Sequence, residues 1–459
     1  MNKCVLGIDL GTSSVKIIKK YQNGHIEKLK NTYQEPLPLG WWRAVCELLE
    51  QIDWNEVSAI GLSSQVGTYL VDEKEVISWN SSAGKEELKW WKTHYSKQQF
   101  VEEISMSHPD IISYPLPRLK YIKEHFKEVK KISQPKEYII EQLTGEWITD
   151  LYSWRGLANL DSGKYSKFFL RELAIEESVL PPIKDLKEPA GYTKELHFVK
   201  NTLPKGIPVY EGLNDYYAGL LGMGIGNIGQ AFDVTGTSEH LGVLQSELSV
   251  DTTLVSGPYI NHIVHYGVTA SSGPSIKYGL SLQSDLAFSM EKIVKEKPPI
   301  FLPYVKGERA PIWNPDARGA FFGIEEKCSA DLMAYAVMEG VVFSLCHIYE
   351  TMGKPTINQI TVSGGAATID CLNMLKAEIF DVPIEIVEES DVSALGACMT
   401  AAVGLGWYQD YAKAAEEWVK IAGKIFPTGK YRQWFEKRYE IYKEFYLRLI
   451  PLYEKWKEL

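Results

Sequence analysis

One design occurs twice in this chain, and it constrains the fold more than any other feature. Cys4 to Ile8 is an apolar run ending in Asp9-Leu10-Gly11-Thr12-Ser13-Ser14, and an apolar run resumes from Val15 to Ile18. That pattern reads as strand, tight turn, strand. Ala231 to Leu244 repeats it: a strand carrying Asp233, a Gly236-Thr237-Ser238 turn, and a second strand. Two copies of one sheet-building plan predict two similar halves. Length agrees, because 459 residues exceed the roughly 250–300 at which a single core stops growing. The boundary is placed between residues 230 and 231, giving domains 1–230 and 231–459.

Between the hairpins, Val57 to Leu62 reads as a strand leading into Ser63-Ser64-Gln65, and Tyr69 to Val71 and Val76 to Trp79 continue extended. Apolar residues then recur at helical spacing from about Pro117 to Leu143, with Gly145 as the stop. A strand restarts near Ile207 to Glu211, and an amphipathic helix is expected from Tyr431 onward. The class is α/β. Apolar residues at 45% and charged residues at 24% predict folding throughout. A net charge of -10 disfavours a nucleic-acid partner. The six cysteines have neither disulfide-framework nor zinc-site spacing and fit a reducing compartment. Gly7 and Asp9 interrupt the N-terminal apolar stretch, so it does not read as an export signal, and no uninterrupted apolar run is long enough to span a bilayer. The expectation is a cytoplasmic protein with no membrane partner.

Four segments carry chemistry. The Gly11-Thr12-Ser13 turn offers amides and hydroxyls to phosphate oxygens, Lys16 adds charge, and Asp9 can hold a metal ion. One such turn reads equally as an ordinary polar hairpin. Its recurrence at Gly236-Thr237 favours two cradles that grip a triphosphate from both sides. In Gly212-Leu213-Asn214-Asp215-Tyr216-Tyr217, Asp215 follows a strand and precedes a small-residue helix. It is either the base that accepts a hydroxyl proton in phosphoryl transfer or the N-cap of that helix. Ser363-Gly364-Gly365-Ala366 links a strand to a helix, and its glycines either admit a flat ligand or only make a tight connection.

Taken together, GIDLGTSSVK, QLTGEWITD, GLNDYYAGLLGMG, DVTGTSEHLG, FLPYVKGERAPIWNPDARGAFFGI, SGGAATIDCLNML and SALGACMTAAVGLG stand in the order of a known family. The chain resembles the FGGY carbohydrate kinases, which include glycerol, xylulose, gluconate and fuculose kinases. The resemblance implies two actin-like, ribonuclease-H-like ATPase domains flanking a central cleft. It implies ATP with Mg²⁺, and a hydroxyl of a small sugar, sugar derivative or polyol as acceptor. Asp215 matches the catalytic base, Thr12 and Lys16 the first phosphate loop, and Gly236 and Thr237 the second. Gly364, Gly365 and Ala366 match the adenosine side, and Gly273 a further nucleotide contact. Gln65, Trp79, Asn80, Asn214 and Asp215 are the expected acceptor contacts, and a homodimer is compatible with all of this.

Departures from the family pattern cluster on the acceptor side. Val66-Gly67-Thr68 follows Gln65 where relatives carry bulkier polar residues, Asn80-Ser81-Ser82 follows Trp79 where a charged pair is usual, and Trp154-Arg155 replaces small residues. The altered loops raise one alternative, a catalytically silent sugar or nucleotide sensor. A motion- or client-coupled ATPase of the same fold would have no use for Asp215. The pairs Trp41-Trp42 and Trp90-Trp91 are expected in packing, and His240 in a structural role.

Overall fold

In each half of the computed structural model, which describes residues 3–106, 111–250, 253–283 and 288–458, an aspartate-bearing strand turns back on itself and also runs parallel to a third strand. Cys4–Leu10 pairs antiparallel with Ser14–Tyr21 and parallel with Val57–Ser64. Ala231–Thr235 pairs antiparallel with Glu239–Gln245 and parallel with Ile360–Gly364. The six-stranded N-terminal sheet runs Ile26–Thr32, Ser14–Tyr21, Cys4–Leu10, Val57–Ser64, Pro208–Asn214, Pro189–Tyr192. The seven-stranded C-terminal sheet runs Val255–Tyr259, His262–Val268, Glu239–Gln245, Ala231–Thr235, Ile360–Gly364, Ile384–Val387, Ile421–Ile425. Both combine an antiparallel hairpin side with a parallel side and end on an antiparallel edge strand. The fold is thus the expected pair of actin-like α/β domains.

The central strands read as continuous apolar runs because helices cover both faces; every residue of Cys4–Leu10 is buried. One cover comes from the other half of the chain. Helix Val392–Gly404, in the C-terminal sequence, lies directly on the N-terminal sheet. A Cβ at Gly7 would stand 2.0 Å from the Ala394 carbonyl oxygen, and one at Gly61 1.9 Å from that of Ala397. Only glycine allows this approach.

The helical spacing across 117–143 resolves into two helices, Pro115–His125 and Pro135–Thr144, with the short strand Ile132–Ser133 between them. Pro135 holds Gln134 extended, and Gln134 and Glu137 form a reciprocal cap that starts the second helix. Gly145 ends it with φ of 87°, as its sequence position predicts. The expected C-terminal helix is Arg432–Trp456, packed on its own half through Tyr442, Tyr446 and Tyr453. Helix Ala330–Thr351 does have the length and apolar composition to cross a membrane, a feature the search for uninterrupted runs passed over. Most of it is buried in the C-terminal half, where its Glu339 pairs with Arg438.

Candidate active site

Leu10 and Asn214 are both level with Ser64 in the parallel register, so three neighbouring strands end together. The Gln65 amide donates to the Leu10 carbonyl at 2.9 Å just beyond them. Ligands of open α/β sheets gather at such carboxyl ends. Asp9 lies one residue inside this edge, 8% exposed, and the Ser63 hydroxyl donates to its Oδ1 at 3.1 Å. Burial pushes the Asp9 carboxyl up to about 6. The turn after it is closed by Gly11 N–H donating to Ser14 O at 2.9 Å, which leaves Thr12 and Ser13 exposed. Lys16 is engaged across the two halves, 2.7 Å from Asp391 at the start of helix Val392–Gly404.

The two readings of Asp215 are separated by its neighbour. Asn214 caps helix Asp215–Gly222, accepting the Tyr217 N–H at 3.0 Å, so Asp215 is the first helical residue and is not the cap. Its Oδ1 accepts from Val66 N–H at 3.1 Å and Tyr216 N–H at 2.9 Å. Ser393, at the start of Val392–Gly404, donates to the Asp215 carbonyl at 2.8 Å. The carboxylate is therefore fixed through one oxygen, and Oδ2 has no protein partner among the described residues. Burial, then the charge of Asp9, pushes Asp215 up to about 7. A base in that range is half-ionised near neutrality, where proton acceptance is most effective.

These two carboxyls titrate as a neighbouring pair. We expect kcat/KM to fall as pH drops through about 7, where Asp215 gains a proton, and to steepen towards slope two below about 6, where Asp9 does. A pH–rate profile flat down to about pH 5 would remove Asp215 from the role of base.

The second hairpin has a different electrostatic fate. Asp233 is fully buried, and Lys376 reaches it at 2.5 Å and Glu239 at 2.6 Å. One ammonium is thus shared by two buried carboxyls, whereas no cation pairs with Asp9 among the described residues. The duplicated aspartates are thus chemically unlike: an ammonium sits on Asp233 Oδ2 while its Oδ1 is buried without a partner, and Asp9 instead accepts from the Ser63 hydroxyl. Beside Gly236 and Thr237 opens a groove of about 550 Å³, lined also by Gly273, Lys277, Lys306, Gly365 and Ala366. Gly273 begins a helix so close to the hairpin that a Cβ there would stand 2.5 Å from the Gly236 carbonyl oxygen. Thr235 shapes the opposite wall, accepting from Ala366 N–H at 2.9 Å through its hydroxyl and from Gly365 N–H at 3.0 Å through its carbonyl. Gly364 turns the chain there with φ of 99°. The structure thus brings Gly236, Thr237, Gly273, Gly365 and Ala366 to one groove.

Among the residues expected to contact the acceptor, Gln65 is buried at the strand edge, with Thr68 donating to its Oε1 at 3.4 Å. Trp79 is 45% exposed and its indole N–H donates to the Thr12 hydroxyl at 3.1 Å, tying the acceptor loop to the first hairpin. Asn80 is exposed beside it. Asn214 is buried, and the cap occupies its side-chain oxygen. Three arginines were missed by sequence reasoning. Arg118, fully buried, donates to the carbonyls of Ser78, Trp79, Ser81 and Ala83 and sets the shape of the Trp79 loop. Arg309, inside the GERAP string, donates to Ser238 of the second hairpin and to Thr269 O. Arg155, noted only as a departure, is buried near Asp215 and lowers that group's proton affinity. The available signal was an arginine amid apolar helical spacing, at Arg118, with no acid three or four residues away. Trp41 and Trp91 are wholly buried, as expected, and His240 stacks on Tyr266.

Two actin-like domains, a buried carboxyl held through one oxygen at Asp215 and a glycine-walled groove beside a hydroxyl-bearing turn are the architecture of a phosphotransferase of the sugar-kinase type. Residues 4–222 match the FGGY family of carbohydrate kinases, N-terminal domain, and residues 232–405 match its C-terminal domain. The chain belongs to this family of ATP-dependent carbohydrate kinases. It is 28% identical to a xylulose kinase of Staphylococcus xylosus, over 96% of this chain and 99% of that one. A glycerol kinase of Aquifex aeolicus is 25% identical over 99% and 97%. The structure of a ligand-bound xylulose kinase from Lactobacillus acidophilus superposes with a TM-score of 0.83 at 25% identity, covering 99% of this chain and 100% of that one.

Proposed function

We infer that the protein transfers the terminal phosphoryl group of ATP to a hydroxyl of a small sugar, sugar derivative or polyol, with Asp215 as general base. The observation that carries this reading is the Asp215 carboxylate itself. It is held by two amides on one oxygen, freed from capping by Asn214, and pushed up to about 7 by burial. An acceptor hydroxyl placed at Oδ2 gives up its proton as its oxygen attacks phosphorus. Thr12 and Thr237 offer hydroxyls to the phosphates, and the groove bordered by Gly273, Gly365 and Ala366 takes the adenosine. Asp9 fits Mg²⁺, which when bound neutralises charge on the phosphate oxygens. Retention of an unencumbered Asp215 opposes the silent-sensor reading.

A panel of ketoses, aldonates and polyols assayed for ADP formation tests this proposal. Acceptor-dependent turnover that stops with a chelator and returns with Mg²⁺ is expected, and ATP hydrolysis indifferent to every acceptor would overturn it. Thr237→Val removes one hydroxyl from the phosphate side only, so it should raise the Kd for ATP about tenfold and leave acceptor affinity unchanged. An unchanged nucleotide titration would assign the second hairpin another role. Because the acceptor loops carry Val66 and Asn80 where relatives carry charged or bulkier groups, glycerol and D-xylulose should be poor acceptors beside some other sugar compound.

A further inference from the structure

Arg155 is a buried cation with no ion-pair partner among the described residues. It is 4% exposed, and its Nε and one terminal nitrogen, Nη1, are sealed from solvent with no hydrogen-bond partner. No carboxylate among the described residues forms an ion pair with it. Its guanidinium lies 4.3 Å from the ring centroid of Tyr217 and 5.5 Å from that of Tyr114. Those ring faces offset part of the desolvation cost, but they supply no acceptor for the N–H groups. A guanidinium placed this way is strongly destabilising unless an anion completes it.

The surroundings are short of partners in the same manner. The hydroxyls of Tyr114 and Tyr216 and Nδ1 of His240 are also buried and unpartnered. Tyr216 directly follows Asp215, and its ring lies 5.2 Å from that of His240 and 5.1 Å from that of Tyr266. Burial, then Arg309, holds His240 down at about 3, so it stays neutral and adds no competing charge. One cation and several neutral polar groups therefore converge near the Asp215 carboxylate, which accepts a hydrogen bond from none of them. A planar fork of N–H groups pairs best with a carboxylate or a phosphate.

We propose that Arg155 binds a carboxylate on the acceptor, with the Tyr114 and Tyr216 hydroxyls sharing its oxygens, so that the preferred substrate is an acidic sugar of the aldonate or uronate type. This rests on the reading of Asp215 as the base, since the acid-binding cluster is placed by its nearness to that residue. The anion could instead be the terminal phosphate of ATP, and the experiment separates the two sources.

Calorimetric binding of a sugar acid, such as D-gluconate, and of its neutral alditol, D-sorbitol, is measured in the Asp215→Asn protein, where no turnover intervenes. The same pair, with xylonate and xylitol, is assayed for kcat/KM in the Asp215 enzyme. The acids are expected to bind about a hundredfold better than the alditols, a gap set by one charged, multiply bonded contact. Arg155→Met should close that gap, Arg155→Lys should restore part of it, and Tyr114→Phe, which keeps the packing, should narrow it about tenfold. Equal affinity for acids and alditols in the Arg155 protein overturns the proposal. So does an Arg155→Lys protein that weakens ATP while leaving acid and alditol affinities alike, the outcome for a phosphate contact. If Arg155→Met does not fold, Arg155→Lys and Tyr114→Phe decide, and an unchanged acid preference in both refutes it. Failure of Asp215 as base shows separately, as turnover that survives Asp215→Asn.

Discussion

Asp215→Asn should lower kcat by at least about a hundredfold while ATP and acceptor still bind, because a positioned general base contributes about that much or more. The same substitution should make the protein more stable. The ordinary Asp value is 3.8 and the folded value is about 7, so between these the native state holds a proton that the unfolded chain releases. Stability attributable to this group is therefore fully present below about pH 4 and declines as pH rises through about 7. An uncharged Asn carries no such cost. Asp215→Asn should melt above the parent at about pH 8, by about 2–4 °C for each kcal/mol relieved in a domain of this size, with the gap narrowing towards pH 5. Stopped-turnover kinetics and paired melting curves check both halves. Wild-type turnover would remove the base, and a pH-independent difference in melting would mean that burial does not strain this carboxylate.

The second large effect concerns the crossing of Val392–Gly404 over Asp215–Gly222. A Cβ on Gly396 would stand 1.9 Å from the Ala218 carbonyl oxygen, and one on Gly222 would stand 2.0 Å from that of Val392. Both collisions are with backbone, so no side-chain rotation relieves them. Gly396→Val must push the two helices apart, at a cost of about 3 kcal/mol or more. Because Ser393 on the same helix holds the Asp215 carbonyl, the displacement should also misplace the carboxylate. Denaturant midpoints and the kcat of the folded fraction should both fall sharply. Ser393→Ala, which keeps the packing, should lower kcat severalfold with little change in midpoint. A Gly396→Val protein as stable and active as its parent would show that the helices have room the structure denies them.

Close packing of this kind is how a helix from one half comes to support the base of the other. It also ties the first hairpin to the Asp215 helix, since Lys16 pairs with Asp391 at the start of Val392–Gly404.

The sequence by itself determined whatever depends on neighbours along the chain. The two hairpins were readable because a Gly-Thr-Ser turn between apolar runs is a local instruction, and their repetition announced two like sheets. The stop at Gly145 and the glycine connection at Gly364 followed from backbone conformations that few other residues adopt. Tertiary structure decided the charge and freedom of each side chain. Asp9 and Asp233 occupy equivalent turns, yet only Asp233 meets a lysine, because Lys376 arrives from a helix far along the chain. Asp215 read as either base or cap until the helix began at Asp215 and gave the cap to Asn214. Arg118 was missed in the sequence and Arg155 read only as a departure until folding buried both, one on four carbonyls and the other on none. Electrostatic environment is set by burial and by partners distant in sequence, so only the folded chain could assign it.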